Sequence, residues 1–234
     1  MTGSIDGVDS ENGHRDIDAE FARLREIMAS RRFRTSSGLA GEQPYYIYDY
    51  PAEQELEVAD HIRLLKTQLE TMTPADGGYA PQVLVIDLYD VALEIIDERK
   101  LLDRVLGIEE SRHTIVSADT RTDKFLSLLD TMIAGDTSKL PDFIRDRYEQ
   151  AKAEGKADII FVTGAGKVYP YIRAHALLNS LQGRIDDLEH PLVLFYPGTF
   201  TRSAVAGSTM SLFGRLPGDN YYRARSLREM SARE

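Results

Sequence analysis

Three short apolar runs limit most strongly what this chain can become. Residues 83–86 (Val-Leu-Val-Ile), 159–162 (Ile-Ile-Phe-Val) and 192–195 (Leu-Val-Leu-Phe) do not alternate apolar with polar side chains. A strand with one wet face alternates, whereas an unbroken run suits a strand covered on both faces, as in a parallel sheet. Polar or glycine residues follow each run at once, at 87–90, 163–167 and 196–199. Residues 45–50 (Tyr-Tyr-Ile-Tyr-Asp-Tyr) add a fourth, aromatic and β-prone segment.

Helical patterns separate these runs. Residues 18–30 place Phe21, Leu24, Ile27 and Met28 on one face. Residues 31–43, with Arg, Ser and Gly, have the composition of a loop. Pro51 suits the first turn of a helix reaching about residue 73, with Leu56, Ala59, Ile62, Leu65, Leu69 and Met72 as its stripe. Val91, Leu93, Ile95 and Ile96 mark the next helix, and residues 104–134 are expected to be helical in two pieces. Residues 140–154 form another helix, with Pro141 near its start and Gly155 past its end. The last spans 169–181, with Pro170 in its first turn, and after residue 199 the pattern weakens.

This order predicts an α/β fold: a mainly parallel sheet of about four strands flanked by helices, Rossmann-like, with a helical insertion at about 91–154. A disordered, acidic leader over 1–16, one α/β domain over 17–227 and a flexible tail over 228–234 are expected. The 234 residues suffice for a sizeable core without covalent staples. The chain has no cysteine, which excludes disulfides, thiol catalysis and iron–sulfur clusters. No stretch has the 18 apolar residues of a membrane span, and the leader lacks signal-peptide character, so a cytoplasmic location is expected.

Net charge is −10, which disfavours a broad nucleic-acid face. Residues 202–234 depart from that balance with six arginines against three acids. That segment is either a solvated arginine-rich stretch or a contact for an acidic partner or nucleic acid.

In parallel sheets, ligands bind beyond the carboxyl ends of the strands. Gly164, Gly166 and Lys167 follow one such end, where a strand, a glycine turn and a helix can cradle phosphate. The Walker pattern is incomplete, however. Phe161 stands where its first glycine belongs, and Val168 where its hydroxyl belongs. Two readings stay open: a tight structural turn, or a phosphate site in which Asp87 or Asp90 holds Mg²⁺. A dinucleotide fingerprint fails at Tyr169. The five histidines lack the spacing of helical metal-ligand pairs, and no Gly-x-Ser-x-Gly elbow is present. No complete catalytic motif, resident cofactor or metal is expected. Twelve tyrosines and no tryptophan, with Tyr221 and Tyr222 beside Arg223, fit either interface anchors or tyrosines with wet hydroxyls.

Residues 164–179 (Gly-Ala-Gly-Lys-Val-Tyr-Pro-Tyr-Ile-Arg-Ala-His-Ala-Leu-Leu-Asn) resemble a stretch of the BrxB family of BREX bacteriophage-exclusion systems. So do 194–198 (Leu-Phe-Tyr-Pro-Gly), 212–214 (Leu-Phe-Gly) and 220–224 (Asn-Tyr-Tyr-Arg-Ala), in that order. The resemblance covers roughly residues 18–227, with its specific motifs after residue 157. It implies a small non-catalytic adaptor of a phage-defence complex. Its implied partners are PglZ (alkaline-phosphatase-like) and BrxC (a large ATPase), with PglX (an adenine-specific DNA methyltransferase) in a larger complex and DNA only indirectly. The residues it singles out, for interaction or as family motif, are Tyr169, Pro170, Arg173, His175, Asn179, Tyr196, Pro197, Gly198, Asn220, Tyr221, Tyr222 and Arg223, of which Tyr169, Arg173, Tyr221, Tyr222 and Arg223 would anchor an interface or lock the C-terminal segment to the sheet.

Overall fold

In a computed structural model, the structure describes residues 14–36, 44–75, 78–98, 100, 103, 107, 140–169, 172–182, 185, 188–203, 207–214, 219–220 and 224–230. Helix α1 (Ile17–Ala29) starts at an Asp16 cap whose side chain accepts from the Ala19 N–H, and short α2 (Arg31–Arg34) follows. Strand β1 (Tyr45–Tyr50) leads through a single turn (Ala52–Gln54) into α3 (Glu55–Thr71). Strand β2 (Val83–Asp87) is followed by α4 (Leu88–Glu98), then α5 (Leu140–Ala153) and β3 (Ile159–Thr163). Helix α6 (Ala174–Gln182) leads to β4 (Leu192–Ser203), β5 (Gly207–Leu212), β6 (Asp219–Asn220) and β7 (Arg225–Ser226).

The sheet order is β2-β3-β4-β1-β7, and every pairing along that path is parallel. Strand alternation sorts side chains into two cores. Tyr45, Ile47, Ile86, Ile160, Val162, Leu192 and Leu194 face one side, under α4, α5 and α6. Tyr46, Tyr48, Tyr50, Val83, Ile159, Phe161, Val193 and Phe195 face the other, under α1, α2 and α3. The second core is aromatic. Phe21 meets Tyr48 edge-on at 5.3 Å, Phe33 lies 4.8 Å from Tyr46, and Phe161 lies 5.1 Å from Phe195. The expected α/β architecture, a mainly parallel sheet between helices, is therefore present.

Several local expectations are corrected. Val83–Asp87 is a rim strand with one neighbour, so Val85 is exposed rather than covered on both faces. Side chains of α3 cap part of that rim: Lys66 donates to the Val83 carbonyl (2.9 Å) and Glu70 accepts from the Val83 N–H (3.1 Å). Such capping blunts a free strand edge. The buried stripe of α3 is Val58, Ile62, Leu65 and Leu69; Leu56 lies about 150° away around the helix and is exposed. Leu93 is also exposed, and the start of the expected 31–43 loop is helical in α2. Gly155 ends α5 at φ +66°, as a glycine after a helix should. The 104–134 helices and the leader over 1–13 lie outside the described residues.

The largest correction concerns residues 196–211. The strand begun by the third apolar run, expected to stop at Tyr196-Pro197-Gly198, continues through them. Strand β4 runs twelve residues and changes partners midway. Residues 192–197 pair in parallel with β1, and 198–203 pair antiparallel with β5. Proline lacks an N–H and glycine has no Cβ, so a sequence reading takes the pair for a strand stop. Here they mark the point where one strand leaves a sheet and founds a hairpin.

Candidate functional site

Three strand ends meet at the carboxyl edge of the sheet. Asp87 closes β2, Gly164 follows β3, and Pro197 lies within β4. Gly164 adopts φ +80°, and a Cβ there would come within 2.6 Å of Asp87 Oδ1. Only glycine fits both demands. The turn lets Lys167 Nζ reach Asp87 Oδ2 at 2.8 Å, while Asp87 Oδ1 accepts from the Tyr89 N–H at 2.9 Å. The hydrogen bond to Asp87 raises the Lys167 ammonium above the ordinary lysine range; partial burial opposes this, and the charges of Asp87, Glu55 and Asp90 reinforce it.

The loop is closed by its own bonds. The N–H groups of Lys167 and Val168 both donate to the Gly164 carbonyl, at 3.0 and 3.3 Å. The expected helix from residue 169 begins only at Ala174, so among the described residues no helix starts directly after Lys167. Residues 165–169 form turns between β3 and α6.

The hairpin completes the crown. A Cβ on Gly166 would lie 3.0 Å from Pro197 Cγ and 3.1 Å from Phe213 Cε1. A Cβ on Gly198 would lie 2.2 Å from the Ser211 carbonyl oxygen, so β4 and β5 touch backbone to backbone there. The Phe213 N–H donates to the Pro197 carbonyl at 2.8 Å, and its ring meets Tyr169 edge-to-face at 6.2 Å. Phe213 holds φ +56° and remains 37% exposed. A bulky residue in the left-handed region is strained, and such strain persists where surroundings over-determine it.

Other expected residues fall as follows. Tyr196, Pro197 and Gly198 are buried, whereas Arg173 and Asn179 are exposed, Arg173 just before α6 and Asn179 within it. Asn220 pairs through its backbone with Thr209. Pro170, Tyr221, Tyr222 and Arg223 lie outside the described residues, as does the side chain of His175. Among the described residues, no group of three or more metal-ligating side chains forms a metal site, and no helix is long and apolar enough to cross a membrane.

One cluster escaped the sequence reading. Asp49 is a lone carboxylate inside an otherwise apolar, fully buried strand. Its Oδ2 accepts from the Phe200 N–H at 3.3 Å and from Arg228 at 3.2 Å. Arg15 donates to the Asp49 main-chain oxygen and to Glu20, and Tyr48 donates to Glu20 at 2.6 Å. Burial pushes the Glu20 carboxyl up, but hydrogen bonds from Arg15 and Tyr48 win and lower it. A charge between Tyr48 and Tyr50 was the available signal, since a buried strand carries an acid only when something satisfies it.

The chain matches the family model "BREX protein BrxB" over residues 84–227. It is 33% identical over 207 residues to the BREX protein BrxB of Bacillus cereus (strain H3081.97), covering 86% of this chain and 94% of that one. It is 28% identical over 210 residues to the BREX protein BrxB of Escherichia coli O9:H4 (strain HS), covering 89% of this chain and 90% of that one. No solved structure matches. The matched span contains both the Gly164–Lys167 turn and the β4–β5 hairpin. This chain belongs to the BrxB family of BREX phage-defence systems.

Proposed function

We propose that the chain acts in phage defence as a non-catalytic adaptor, docking other BREX proteins on the crown at the carboxyl edge of its sheet. One observation carries this reading. At the carboxyl edge, where a parallel sheet usually takes a ligand, the chain's own Pro197 and Phe213 pack against Gly166, and Lys167 is paired with Asp87. The same packing presents a half-exposed phenylalanine on strained backbone, backed by Tyr169, with exposed Arg173 just before α6. Aromatic and arginine side chains are the usual anchors of protein interfaces.

The partners this reading favours are PglZ and BrxC. The test is affinity capture of the tagged chain from cells expressing the complete system. Both proteins are expected in the wild-type eluate. Phe213→Ala combined with Arg173→Glu should cut recovery by about tenfold or more while the fold is kept. Capture of no BREX protein refutes the reading. So does nucleotide turnover by the isolated chain that disappears in a folded Lys167→Met variant.

A further inference from the structure

We propose that the outer edge of β1 is an acceptor for an extended segment of another protein carrying an apolar residue followed by arginine. Residues 224–230 of this chain hold the place until it arrives. It does not rest on the crown reading: the edge lies on the side of β1 away from β4, and the two meet only where the hairpin's Phe200 N–H donates to Asp49.

Strand β7 covers β1 only thinly. It pairs with Tyr46 and Ile47, and its ladder closes with the Leu227 N–H on the Ile47 carbonyl at 2.9 Å. Continuing that register sets Arg228 opposite Asp49. Leu227 is fully buried in the aromatic core, so it is the apolar anchor of the segment. Beyond Ile47 no strand continues among the described residues; Arg15 takes the Asp49 main-chain oxygen instead.

The Asp49 carboxylate is only half satisfied. Its side chain is 3% exposed, yet Oδ1 has no hydrogen-bond partner among the described residues. Arg228 reaches Oδ2 alone, through one nitrogen at 3.2 Å, and its own side chain is 44% exposed. Buried carboxylate oxygens are normally paired, and a guanidinium fork is built to take both at once. An arginine arriving from another chain along the same edge can take both, at no loss to the ladder. Strand addition to an open edge is a common mode of peptide recognition, with backbone bonds giving affinity and side chains specificity.

The test uses the full-length chain and a fluorescent peptide of residues 224–230, read by anisotropy. Arg228→Glu loosens the chain's own segment and should strengthen peptide binding by about tenfold or more. Adding Asp49→Asn to that variant, or replacing the peptide's second arginine by glutamate, should abolish the gain. Binding that ignores both changes overturns the proposal. Hydrogen exchange on the wild-type chain gives a second reading that needs no variant. The Leu227 amide should exchange at least about tenfold faster than Val162 and Leu194 in the sheet centre. Exchange of Leu227 as slow as theirs overturns the proposal. Dimers of the wild-type chain that fall apart on adding peptide identify a second copy as the occupant and overturn the choice of another protein.

Discussion

Gly198→Ala tests the point on which the crown depends. A Cβ at this position meets the Ser211 carbonyl oxygen at 2.2 Å, the Phe213 nitrogen at 3.0 Å and the Leu212 Cα at 3.1 Å. All three are backbone atoms, so no side chain can swing aside. Relief to an ordinary contact requires β4 and β5 to part by more than an ångström. That movement breaks the 2.8 Å bond from Phe213 to Pro197 and strains the neighbouring rungs of the hairpin. Overpacking costs about 1–3 kcal/mol and a lost buried hydrogen bond about 1 kcal/mol, for a total near 2–4 kcal/mol. For a domain of this size the melting temperature should fall by roughly 5–15 °C. Urea denaturation and thermal melting provide the assay, with Gly155→Ala as the control. Gly155 sits at φ +66° with nothing near its missing Cβ, so it carries only the backbone strain of about 1–2 kcal/mol. A Gly198→Ala loss no larger than the Gly155→Ala loss refutes the close approach of β4 and β5.

Further outcomes follow from other contacts. Phe213→Gly should cost little stability, because the strain relieved at φ +56° offsets the packing lost on Tyr169; a loss above about 2 kcal/mol in denaturation contradicts the strain. Although partial burial opposes it, hydrogen bonds to Asp18 and to the Glu57 carbonyl raise the His61 pKa above the ordinary histidine value. The folded chain thus gains stability below about pH 6.5 and loses it as pH rises through the shifted value. The Asp18 partner is exposed, so the effect is at most about 1 kcal/mol; comparing urea midpoints at low and neutral pH for wild type and His61→Gln checks it. Burial pushes the hydroxyls of Tyr45, Tyr48 and Tyr50 far above the ordinary tyrosine range, with Glu20 and Glu55 adding to the last two. Their neutral forms support the fold below about pH 10, and that support is lost as pH rises further. Phenolate absorbance from these three should appear only with loss of the folded circular dichroism, and titration in the intact fold refutes their burial.

The sequence determined the layers. The unbroken apolar runs at 159–162 and 192–195 become buried strands because both faces of the sheet are covered there, and helical stripes settle on the sheet with their expected phase at Phe21, Leu24, Ile95 and Leu69. Local chemistry also fixed the glycine turn after β3 and the helix stop at Gly155, since φ and steric room act over a few residues. Strand order, the rim position of Val85, the change of partners in β4 and the pairing of Asp49 with Arg228 were decided only by the tertiary structure. These depend on which segments meet across long stretches of chain. The apolar pattern records how much surface each segment must hide, and leaves open which neighbour hides it.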